Sequence, residues 1–141
     1  MIRPRNTTRG TIPSYKIIDA YRRAFCYPWW LFGRAFHLAD KYYKEADVAL
    51  ILSILSKDRT DLEEYVAEDY DCDDYAFRLM GVFHQNRETA AMPIFITWVL
   101  TPQGGHAVLS CYVTGRIRII EPQTDDISSV PAGWKLMLLC G

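Results

Sequence analysis

The sequence has little excess charge and no long apolar run. Its 16 Lys and Arg against 17 Asp and Glu leave a net charge of -1. No global field therefore favours nucleic acid or an anionic membrane. The most apolar stretch, Val48 to Leu55, is far too short to span a bilayer and reads as a buried helix. The basic segment from Met1 to Gly10 has no apolar region behind it, so no secretory signal is expected. Four widely spaced cysteines (Cys26, Cys72, Cys111 and Cys140) form no CxxC pair, which argues against zinc and against a disulfide framework. A reduced, cytoplasmic setting is the expectation. Internal repeats and low-complexity segments are also absent.

What is present is enough apolar material for one core: half of the 141 residues are hydrophobic and 23% are charged. Residues 1–13, rich in Arg, Thr and Pro, are expected to be a mobile arm, with a single domain over 14–141. A helix is expected from Ser14, with Ile17, Ile18, Tyr21 and Phe25 at helical spacing, ending before Pro28. A second opens at Glu45-Ala46-Asp47 and runs to about Ser56. An acidic linker, Asp61 to Tyr70, follows it.

Asp71 then suits an N-cap, with Asp73 and Asp74 in the first turn of a helix reaching about His84. From Cys72, helical spacing picks out Ala76, Leu79, Met80 and Phe83, so Cys72 heads a buried face. Strands are expected over Pro93–Leu100, His106–Val113, Arg116–Glu121 and Trp134–Leu139, with Thr114-Gly115 as a hairpin turn. Helices first and an antiparallel sheet after them make an α+β fold, the Cys72 helix packed on the sheet.

A thiol nucleophile needs a raised thiolate fraction, usually from a helix N-terminus and a nearby imidazole. Cys72 has the first, and His106, behind Gly104-Gly105, is the candidate for the second. If Val113 pairs with Arg116, Glu121 falls opposite Val108, a diagonal neighbour of His106 on the same face. Such neighbours lie roughly 7–8 Å apart by backbone, within reach of a long side chain. Glu121 is therefore placed to orient the imidazole. His37 and His84 lack such company, Cys111 faces away from His106, and Arg116 with Arg118 is too small a footprint for nucleic acid. Trp29, Trp30 and Trp134 are candidate groove walls.

The run Asp71-Cys72-Asp73-Asp74-Tyr75-Ala76, then Gly105-His106-Ala107, then Glu121-Pro122-Gln123, resembles the papain/transglutaminase-like cysteine proteases. It is similar to two branches: the C-terminal protease domain of fungal chimerolectins of the Marasmius oreades agglutinin type, and bacterial transglutaminase-like proteases. The resemblance spans residues 70–123. It implies a papain-like fold, a thiol hydrolase with Cys72 as nucleophile, His106 as base and Glu121 as orienting acid, and a peptide or protein substrate. It also implies calcium, with Asp74, Gln123 and Asp73 as ligands and Asp125 as a further candidate. A cation there has a local reason, because Asp71, Asp73 and Asp74 crowd the thiol and oppose its ionisation. Calcium takes about six to eight such oxygens. The Cys72 backbone N–H is a natural oxyanion donor. The alternatives are a transglutaminase-type acyl transferase, and a non-catalytic binding or inhibitor module, of phage or bacterial origin, on the same scaffold.

Overall fold

The computed structural model describes residues 10–25 and 35–141. Trp29, Trp30 and Cys26, singled out in the sequence, lie outside them. The expected arm is not free along its whole length. Ile12–Pro13 form a short strand, β1, and Ile12 is buried. Gly10 sits so close to the Tyr43 backbone that a Cβ there would lie 2.5 Å from a carbonyl carbon.

Helix α1 covers Ser14–Ala24 and buries Ile17, Ala20 and Tyr21, one apolar stripe at three- and four-residue spacing. Short strands β2 (Phe36–His37) and β3 (Tyr42–Tyr43) follow. Helix α2 starts at Val48, later than the acidic run suggested, because Asp47 caps it by accepting from the Leu50 N–H at 3.0 Å; it ends at Lys57. A 3-10 turn over Thr60–Leu62 leads on to helix α3, Cys72–Gln85, and to the single-turn helix α4, Arg87–Ala90. Five strands complete the chain: β4 (Ile94–Thr101), β5 (Gly104–Val113), β6 (Arg116–Ile120), β7 (Ile127–Ser129) and β8 (Lys135–Cys140).

The main sheet has six strands in the order β2-β8-β4-β5-β6-β7, and β1 pairs separately with β3. Here the expected antiparallel sheet is corrected to a mixed one. β2 runs parallel to β8, with Phe36 opposite Leu139, and occupies the edge beside it. The β5–β6 register has Val113 opposite Arg116, as the two-residue turn requires.

Helices lie on both faces, so two cores share one sheet. One gathers Ile17, Tyr21 and Phe25 with Phe95, Val99, Val108, Ile119 and Leu136. The other gathers Ile51 and Leu55 of α2 and Ala76, Leu79 and Phe83 of α3 with Ile94, Ala107, Leu109 and Ile120. Each fully buried large side chain contributes about 1.5–3 kcal/mol. Alternation along β4 and β5 supplies both cores from the same strands.

Candidate functional site

The two cores fix what meets at the end of the sheet. Met80 of α3 lies near Gly141 beside Ile94 and Phe95, at the start of β4, whereas Phe77 packs edge-on against Trp98, further along it. Trp98 pairs with Ala107, and Ile94 with Cys111. Going toward its N-terminus, α3 therefore travels toward the Gly104–His106 entrance of β5. Cys72 is half-buried against the α2–α3 core. His106 shares the parity of Val108 and Ser110 and belongs to the opposite face. Thiol and imidazole thus approach one rim of the sheet from its two sides. Cβ atoms built on Gly104 and Gly105 meet nothing within 4 Å, so the strand entrance is open.

Glu121, one residue past β6, reaches back to the imidazole: His106 Nε2 and Glu121 Oε2 are 2.7 Å apart, with both side chains about a quarter exposed. An ionised carboxylate only accepts, so Nε2 is the donor in this bond and Nδ1 is left for another partner. Glu121 is itself fixed. Its N–H donates to Asp126 O, its carbonyl accepts from the Thr124 and Asp125 N–H groups, and its Oε1 accepts from the Gln123 N–H at 3.3 Å. Trp134 stands edge-on to the His106 ring at 6.2 Å, a wall in the position the sequence left open. Among the described residues no hydrogen bond joins Cys72 to His106.

Around the thiol the charge is negative. Ligand atoms of Asp71, Cys72 and Asp73 lie within 4.8 Å of one another. Asp74 is turned to capping and accepts from the Asp71 N–H at 3.2 Å. A hydrogen bond to Asp71, then desolvation, raises the Asp73 carboxyl above the usual range. The Asp71 and Asp73 carboxylates beside the sulfur oppose formation of a thiolate. Gln123 lies in the Glu121 turn, on a different element from Asp73 and Asp74.

A second acidic group had almost no signal in the sequence. Oxygens of Asp58, Asp61 and Asp125 lie within 4.8 Å of one another. Asp125, at φ 64°, has a buried Oδ1 with no hydrogen-bond partner among the described residues. Burial first, then Asp61, Asp58 and Asp126, push its carboxyl up to about 6. The spacing of Asp58 and Asp61 was visible, but their meeting with Asp125 depends on tertiary folding. The other described cysteines are unlike Cys72: Cys111 is buried and pushed up to about 12 by desolvation, and Cys140 is exposed.

No family model and no curated protein matches the chain. Solved structures do. One, described as the PSL1a–E64 complex, matches with a TM-score of 0.67 and 18% identity over 91% of this chain and 47% of its own. Another is the Polyporus squamosus lectin bound to Neu5Aca2-6Galb1-4GlcNAc, with a TM-score of 0.62 and 21% identity over 74% of this chain and 41% of its own. The chain thus spans less than half the length of either structure.

At these identities the likeness shows the fold alone. That fold, a mixed sheet with helices, is shared with structures described as a lectin and as PSL1a; neither is described as a papain- or transglutaminase-like protease. The assignment to that protease superfamily is corrected accordingly. With it go the readings that rested on it: the papain-like architecture, the thiol-hydrolase activity and the peptide or protein substrate. Among the described residues no helix is long and apolar enough to cross a membrane.

Proposed function

We propose that this chain is a binding module that takes its ligand at the sheet-end cluster of Cys72, His106 and Glu121. The observation that carries the reading is the 2.7 Å His106–Glu121 pair, held at an open strand entrance toward which the Cys72 helix points. A half-buried polar pair costs stability unless its geometry is used, and this one presents a free imidazole nitrogen. The ligand class suggested is a small molecule with an electrophilic carbon, captured by the Cys72 sulfur. E64, named with one of the similar structures, carries such a carbon in its epoxide. In capture the Cys72 thiol passes its proton to His106 Nδ1, the sulfur–carbon bond forms, the epoxide carbon–oxygen bond opens, and the oxygen takes that proton from the imidazolium ring. Glu121 holds that imidazolium in place.

Calcium at Asp73, Asp74 and Gln123 belongs to the same proposal. All three offer hard oxygen donors, and a cation there would offset the carboxylate charge that opposes a thiolate. A reducing, cytoplasmic setting keeps the thiol available.

The test is intact-mass labelling by E64 and iodoacetamide at neutral pH, with calcium and with chelator. One equivalent of E64 should add at Cys72, and Cys72→Ser should abolish it. His106→Ala or Glu121→Gln should slow it by about tenfold or more. Cys72 should also react with iodoacetamide faster than Cys140, and calcium should raise its rate. If Cys72 labels no faster than an ordinary free thiol in either condition, the reading fails. Repeated turnover of an amide would replace binding by catalysis. A saccharide arm uses the trisaccharide named with the lectin structure. Saccharide binding unchanged in Cys72→Ser would move the binding site away from this cluster.

A further inference from the structure

The C-terminal halves of α2 and α3, with the start of α4, border a shallow groove of about 680 Å³ that is open to solvent. That volume is in the range of small-ligand sites. Ile54 and Val82 supply apolar floor, and the charged groups are Lys57, Arg59, Arg78, Arg87 and a single acid, Asp58. Both carboxylate oxygens of Asp58 are engaged by Thr60, through its N–H at 2.9 Å and its hydroxyl at 3.1 Å. Arg78 is paired with Glu63. Lys57, Arg59 and Arg87 have no ion-pair partner among the described residues, and all three are exposed.

Helix dipoles account for only part of this. Lys57 occupies the last turn of α2, where a cation is favoured. Arg59 lies beyond that helix. Arg87 belongs to the single-turn helix α4, too short for its dipole to account for a cation there. Arg78 is balanced by Glu63, and Asp58 belongs to the carboxylate group with Asp61 and Asp125. That leaves Lys57, Arg59 and Arg87 as the cations that an entering anion would meet. Arginine forks also match phosphate and sulfate oxygens two at a time.

We infer that the groove between α2 and α3 binds a small multivalent oxyanion, one bearing two or more phosphate or sulfate groups, independently of the Cys72 cluster. Lys57, Arg59 and Arg87 contact it directly. Arg78 joins them while keeping Glu63 on its other side.

Calorimetric titration of the full chain with inorganic triphosphate, and separately with a disulfated disaccharide, tests this in the presence of chelator. Saturable binding of either probe is expected, weakening by about tenfold or more between roughly 0.05 and 0.5 M salt. Triphosphate alone would assign a phosphate ligand, and the disaccharide alone a sulfated one. The double variant Arg59→Gln, Arg87→Gln should lose binding by about tenfold or more. Its thermal midpoint and E64 labelling should stay unchanged, which separates this site from the proposed function. Absence of binding by both probes to the wild-type chain, or equal affinity in the double variant, overturns the inference; the wild-type result stands even if the variant misfolds.

Discussion

At the scale of single residues the most informative side chain is Asp125. Its carboxyl titrates at about 6 rather than at the ordinary 3.8, chiefly through burial and then through Asp61 and Asp58. The folded chain therefore holds this proton to higher pH than the unfolded chain does. Stability that is present below about 4 is lost as pH rises through about 6. Asp125→Asn removes the charge and suits the left-handed backbone at this position. In chelator it should raise stability at pH 7, on the order of 1 kcal/mol, and the gain should fade toward pH 4. Equal effects at both pH values in thermal melts would show that the neighbouring carboxylates do not set the titration. His106 and Glu121 were legible because a two-residue turn fixes the register of its strands. Asp125 with Asp58 and Asp61 was not, since no local rule joins α2 to the turn after β6.

At the scale of elements, α1 is held to the sheet by more than apolar contact. Tyr21 Oη and Ser110 Oγ are 2.7 Å apart, and Ser110 Oγ lies 2.6 Å from Thr97 Oγ1. The Thr97 hydroxyl also donates to Phe95 O at 3.1 Å, and all three polar side chains are buried. The chain of hydroxyls runs across β4 and β5 into the helix. Tyr21→Phe leaves one buried acceptor without its donor and should cost about 1–2 kcal/mol in denaturant melts. Ser110→Ala should cost at least as much, because it cuts the chain in the middle. No loss in either variant would mean that packing alone holds α1. The long elements were readable from capping and alternation, as Asp71 for α3 and the Thr114-Gly115 turn for β5–β6 illustrate. β2 and β3 were not, because two residues carry no period and their pairing is set by distant strands.

At the scale of the whole molecule, Gly141 ties both ends of the described chain. Its carbonyl accepts from the Ala39 N–H at 2.7 Å and from the Tyr43 hydroxyl at 3.0 Å, and its N–H donates to His37 O at 3.1 Å. A Cβ at this position would stand 2.9 Å from Phe95 and 3.0 Å from the Ile94 carbonyl. Gly141→Ala should therefore loosen β2 and the β1–β3 pair together and cost about 1–3 kcal/mol. A melt indistinguishable from wild type would show that the neighbours move aside. The protease resemblance misjudged the molecule at this scale. Short motifs constrain a few positions at a rim, whereas the arrangement of six strands rests on dispersed apolar residues that no motif samples.

Because the His106–Glu121 pair stands at the rim of the sheet beside Trp134, neither apolar core is opened to make room for it. Two segments beside it, residues 102–103 and the turn over 121–126, are connections between strands. The surroundings of that pair are therefore set largely by strand connections rather than by the packing of either core.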